Sequence, residues 1–136
     1  MDITQDFYNN MASQYDKLFH DWQSTIHEQA VILNRIFNDN GFDTTAQILD
    51  CACGIGTQSI GLASLGYQVS ASDISAGEIS EARERAKKNG VNIRFELADF
   101  RALADKYSEQ FDVVIAMDIE NGRMTECRKE RQILWR

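Results

Sequence analysis

The sequence predicts an α/β fold: an incomplete parallel sheet of about four strands, preceded by helices. After Asn40-Gly41 the apolar spacing changes from helical to an alternation of short strands and helices, which argues for parallel strands joined by crossovers. FDVVIAM (Phe111–Met117) is almost wholly apolar, as a strand buried on both faces should be. Between these, the stretch from Asp50 to Thr57 runs from a strand through Gly54 and Gly56 into a helix.

The elements follow in order. Phe7, Tyr8, Met11, Ala12, Tyr15, Leu18 and Phe19 recur at helical spacing, and Trp22, Ile26, Ala30, Leu33 and Phe37 continue the pattern in a second helix. Asn40-Gly41 is a helix stop. Gln47–Ala52 is a short strand, and Thr57–Leu65 a helix with Gly66 at the left-handed cap position. Tyr67–Ser72 is the second strand. Ser75 and Glu78 spell a capping box for a helix with Ile79, Ala82 and Ala86 on its apolar face. On that helix Glu81–Arg85 and Glu84–Lys88 are favourable pairs four apart. Asn92–Leu97 is the third strand, Ala102–Tyr107 a short helix and Phe111–Met117 the fourth strand. Residues 1–41 are therefore expected to form a helical cap, 42–118 an α/β core, and 119–136 an atypical tail.

Composition narrows the function classes. The net charge of −7 argues against a nucleic-acid partner, because phosphate binding relies on clustered Lys and Arg. No apolar run approaches the ~18 residues of a membrane span, and the polar, acidic N-terminus is no secretory signal. Three cysteines make no disulfide framework, so a reducing, cytoplasmic setting is expected. Cys51 and Cys53 are read as packing thiols on opposite sides, and with Cys127, His20 and His27 they complete no metal site.

A parallel sheet binds ligands beyond the carboxyl ends of its strands. At the first strand end, Gly54 and Gly56 let the backbone turn sharply and approach a ligand, and the following helix N-terminus favours an anion. The same turn could be a tight connection with no ligand. Asp73 closes the second strand 17 residues after Gly56, where it could accept hydrogen bonds from ribose hydroxyls or cap the next helix. Dinucleotide enzymes share both features, but their G-x-G-x-x-G pattern is broken here by Ser59 in the third place. Asp99 and Phe100 end the third strand, placed either to hold an adenine amine and ring or to cap a helix and fill the core. No residue stands out as a catalytic acid, base or nucleophile.

Together these residues resemble the class I S-adenosylmethionine-dependent methyltransferases, over about Leu49 to Asp118. The resemblance implies a Rossmann-like sheet. LDCACGIGT is similar to the family's first motif, with Asp50, Ala52, Gly54 and Gly56 in its positions and alanine where the first glycine usually stands. In ASDIS, Asp73 takes the place of the ribose acid and Ile74 lies against adenine; in ADF, Asp99 and Phe100 take the adenine contacts. FDVVIAMD places Met117 and Asp118 near the methyl donor.

YDKLFHDW, DCACGIGTQSIGLASLGY and SASDIS are similar to glycine/sarcosine N-methyltransferases, in which N-terminal helices cover the cofactor. The resemblance puts Tyr15 and Trp22 near the donor, where an electron-rich ring suits a sulfonium or ammonium group, although core packing explains both rings as well. It implies S-adenosyl-L-methionine as cofactor and a small amine as acceptor. Glu28 stands where that group usually has an arginine that pairs with a carboxylate.

The tail departs from the family. Residues 119–136 hold five basic and three acidic residues, against nine and eighteen in the remainder. The expectation is a C-terminally truncated or frame-shifted chain. Thr125–Trp135 is expected to be a helix that covers part of the fourth strand, and a homodimer through that strand's exposed edge is the alternative.

Overall fold

The computed structural model describes residues 3–99, 111–116, 124–127 and 132–135, with side chains described for 20–99 and 111–116. Helix α1 spans Ile3–Asp39 as one continuous element, not the two helices expected. Nothing in residues 1–40 interrupts it, since the chain has no proline and its first glycine is Gly41. Gly41, at φ 85°, ends it, and the Phe42 N–H donates to the Phe37 carbonyl at 2.9 Å across the cap.

Four strands follow, β1 (Gln47–Asp50), β2 (Gln68–Asp73), β3 (Arg94–Leu97) and β4 (Val113–Ile115), with α2 (Thr57–Ser64) and α3 (Ala76–Lys88) between the first three. The sheet is parallel throughout, in the order β3-β2-β1-β4. The chain builds outward from β1 to β3 and then crosses to the other flank of β1. That reversal puts the switch point beside the carboxyl end of β1, where such sheets take their ligands.

On one face Ile48, Val69, Val113 and Ile115 pack with Leu33 and Phe37 of α1 and Leu62 of α2. Ala71 and Phe95 meet Ile79, Ala82 and Ala86 of α3. Leu49, Cys51, Val114 and Ala116 form a cluster of their own. Tyr67 closes one end of the main core, its ring edge-on to Phe37 at 5.6 Å and its hydroxyl donating to Asn34 Oδ1 at 2.7 Å. Cys51 and Cys53 do fall in different clusters. The cause is the turn after Asp50, because an unbroken strand would have put residues two apart on the same face.

The tail is the clearest correction. β5 (Met124–Cys127) and β6 (Gln132–Trp135) pair antiparallel where a helix was expected, and β6 lies alongside β4. The apolar residues Ile133, Leu134 and Trp135 are consecutive, a run with no helical period to stabilise one face. Among the described residues, no helix is long and apolar enough to cross a membrane.

The other edge of the sheet is β3. Ala98 N–H donates inward to the Asp73 carbonyl, so the strand's alternation turns the Phe95 carbonyl outward, where Arg83 Nη2 donates to it at 3.1 Å. An occupied edge carbonyl cannot template a further strand. Arg83→Ala is expected to cost less than about 1 kcal/mol yet raise concentration-dependent association, which light scattering across a dilution series checks.

Candidate functional site

The switch point is built around a buried carboxylate. Asp50 ends β1 with 0% exposure, and its Oδ2 accepts a hydrogen bond from Ser59 Oγ at 2.6 Å. Burial pushes its carboxyl up to about 6; the Ser59 hydroxyl and the Ala52 backbone oppose that rise, and the charge of Asp73 adds to it. Its Oδ1 has no hydrogen-bond partner among the described residues. Ser59 also explains the broken dinucleotide pattern: the third place holds a hydroxyl that serves Asp50.

The turn beyond Asp50 is stitched to β2, with Cys53 N–H donating to the Ser72 carbonyl at 3.0 Å and Gly56 N–H to the Cys53 carbonyl at 2.9 Å. Ala52 is exposed at its start. Gly54 and Gly56 have φ of 56° and 93°, the left-handed region that L side chains rarely adopt. A Cβ on Gly56 would also stand 3.0 Å from Ile60 Cδ1. Burial raises the Cys53 thiol well above its ordinary value, so it stays protonated and packs.

Asp73 joins the turn from β2. Its Oδ2 accepts from the Gly54 N–H and its Oδ1 from the Ser75 N–H, both at 2.9 Å. The two strand-end signals are therefore in direct contact. Ile74 beside it is 71% exposed, an apolar side chain presented to the space over the sheet's carboxyl end. The Ala98 bond to Asp73 sets half-buried Asp99 next to this pair.

Trp22 reaches the site from α1. Its Nε1 donates to Thr57 Oγ1 at 3.0 Å, in the first turn of α2, and the Arg85 guanidinium lies 4.6 Å over its ring. Arg85 in turn pairs with Glu81 at 2.8 Å. A second latch lies two turns along α1, where Gln58 Nε2 donates to Gln29 Oε1 at 2.6 Å. Glu28 beside it is exposed. Tyr15 lies in α1, but its side chain is outside the described residues, as are Phe100, Met117 and Asp118.

Asp50, Ala52, Gly54, Gly56, Asp73 and Ile74, all named from the sequence, come together at the adjoining carboxyl ends of β1 and β2. The roles of Thr57 and Arg85 were not legible because both depend on Trp22, distant in sequence, and that of Ser59 because its bond to Asp50 forms only across the turn. A cleft lined by Gln47, Gln68, Ser70, Asn92, Arg94 and Phe111 opens at the opposite, amino end of the strands, away from the glycine turn.

A parallel sheet with a glycine turn at its switch point, bonded to an acid on the neighbouring strand, is a frame for nucleoside cofactors that methyltransferases share with dinucleotide enzymes, and similarity to known proteins decides between the two. The chain belongs to the methyltransferase domain family, whose model matches residues 48–131. It is 37% identical over 73 residues to a ubiquinone biosynthesis O-methyltransferase of Methylocella silvestris, covering 54% of this chain and 28% of that one. It is 27% identical over 127 residues to a glycine/sarcosine N-methyltransferase of Parasynechococcus marenigrum, covering 93% and 43%. Its fold is similar to the magnesium protoporphyrin IX methyltransferase of Synechocystis PCC 6803, solved with S-adenosylmethionine bound, with 26% identity and a TM-score of 0.56 over 72% of this chain and 49% of that one. The chain thus spans less than half the length of each of these three proteins.

Proposed function

We propose that this chain binds S-adenosylmethionine across the carboxyl ends of β1 and β2 and takes part in methyl transfer to a small amine such as glycine or sarcosine. The observation that carries the reading is the Gly54 N–H bond to Asp73, which joins a bare-backbone turn to a half-exposed carboxylate. The residues fit the cofactor: two glycines leave no Cβ in the way, Asp73 keeps lone pairs for ribose hydroxyls, and the orphaned Oδ1 of Asp50 calls for a donor.

When bound, the cofactor supplies an electrophilic methyl group on a sulfonium. The work left to the protein is positioning and exclusion of water. In this reading Asp73 holds the sugar, Ile74 packs against the base and Asp99 receives its amine. Tyr15, Phe100, Met117 and Asp118 carry the roles implied by the family resemblance. Trp22 acts through Thr57, steadying the first turn of α2, because one face of its ring already carries Arg85.

The amine acceptor is supported by the similarity to the glycine/sarcosine enzyme, which runs through α1 and covers 93% of the chain. Exposed Glu28 offers an acceptor carboxylate no cation, so a carboxylate-bearing amine would be held differently here. The test is radiolabelled methyl transfer to glycine, sarcosine, a ubiquinone precursor and magnesium protoporphyrin. The reading expects label in the amines. Label confined to the quinone or porphyrin acceptor would replace the substrate assignment, and binding without transfer would leave a cofactor-binding module.

A further inference from the structure

The glycine turn and the N-terminus of α2 make a place that would ordinarily hold phosphate, because backbone N–H groups and the helix dipole both favour an anion. Glu78 opposes this. The Ser75–Glu78 pair spells a capping box, in which the glutamate would reach back to the Ser75 N–H. Only half of it forms: Ser75 Oγ accepts from the Glu78 N–H at 3.2 Å, but the Ser75 N–H goes to Asp73 Oδ1. The Glu78 carboxylate instead lies over the turn, its Oε2 3.7 Å from the point where a Cβ on Gly54 would stand.

Both oxygens of Asp73 are committed to backbone N–H groups, one of them the Gly54 N–H that a phosphate would seek. Arg85, further along α3, is engaged by Glu81 and Trp22. A phosphate over Gly54 would therefore meet two carboxylates. A nucleoside whose tail is a zwitterionic amino acid, with no net negative charge, meets a smaller penalty.

We propose that Glu78 is a specificity-determining residue that turns phosphate-bearing nucleosides away from the glycine turn. The proposal rests on the donor-binding reading above and adds rejection by charge to it. Because Glu78 is exposed, Glu78→Gln changes charge without disturbing the core.

The test titrates the full chain with ADP and with S-adenosylhomocysteine, in competition, for the unaltered protein, Glu78→Gln and Glu84→Gln. Glu84 is an exposed acid on the same helix and controls for net charge. Glu78→Gln is expected to tighten ADP about 5-fold, an effect that shrinks in high salt, and to leave S-adenosylhomocysteine within about twofold. Glu84→Gln is expected to change neither. An unchanged ratio of ADP to S-adenosylhomocysteine affinity in Glu78→Gln would overturn the proposal, as would ADP binding too weak to detect in that variant or an equal effect of Glu84→Gln. Failure of S-adenosylhomocysteine to bind the unaltered chain would instead overturn the functional reading, and the proposal with it.

Discussion

Asp50→Asn is expected to gain stability relative to the unaltered chain by about 2.5 kcal/mol as the pH rises from about 4 to about 7.5. The carboxyl titrates at about 6 in the folded protein against an ordinary 3.8, because burial penalises the charged form more than the Ser59 hydrogen bond rewards it. Between those two values the native state holds a proton that the unfolded chain has released. Stability from this group is therefore greatest below the lower value and is lost as the pH climbs through the upper one. Asparagine carries no charge to bury and removes that slope. The fixed cost of its amide is the same at every pH, so the informative quantity is the change in the difference, read from urea unfolding of both proteins across the range. Parallel stability curves would show that Asp50 ionises at no cost and is better solvated than its burial implies.

Gly61→Ala is expected to destabilise the fold by about 2 kcal/mol net, against the ordinary preference of helices for alanine. Gly61 lies inside α2, where alanine should gain about 1 kcal/mol. The added Cβ would stand 2.7 Å from the Ile26 backbone carbonyl oxygen and 3.0 Å from Ala30 Cβ. A backbone atom of a packed helix cannot swing aside as a side chain can, so α1 must move off α2. That displacement strains the Trp22–Thr57 and Gln29–Gln58 bonds along the same contact. Gly77→Ala is the matched control: its Cβ meets only Ser75 Oγ, at 3.8 Å, and it is expected to stabilise α3 by a few tenths of a kcal/mol. Denaturant midpoints of the two variants should move in opposite directions. A stabilised Gly61→Ala would mean that α1 is not seated on α2 as closely as the structure places it.

What the sequence revealed and what it hid divide along the range of the interactions. The strand–turn–helix frame from Gln47 to Lys88 was legible because its signals are local: Gly54, Gly56 and Gly66 all adopt positive φ, and Ser75 caps α3. Boundaries moved by a residue or two, as helix and strand ends do. Asp73 was placed by spacing alone, and its bond to Gly54 confirms that strand end and turn meet. The errors came where local pattern underdetermines the outcome. Helical periodicity could not say whether α1 was one helix or two, and only the lack of an interrupting residue decides it. Glu78 was read as half of a capping box because the sequence cannot show that Asp73 takes the Ser75 N–H first. The Arg85–Trp22 contact joins two helices 63 positions apart in the chain, and no local signal points to it.

Donor binding turns on Asp73 gripping a sugar beside a turn that is bare at Gly54 and Gly56. Calorimetric titration of S-adenosylhomocysteine into the full chain and into Asp73→Asn measures this directly. Asparagine keeps the shape of the side chain and one carbonyl acceptor for the Gly54–Ser75 backbone, but not the charge. Saturable binding to the unaltered chain is expected, with a loss of roughly 10- to 100-fold in the variant, the worth of a hydrogen bond to a charged group. Equal affinity in the two proteins, or no binding to either, would contradict it.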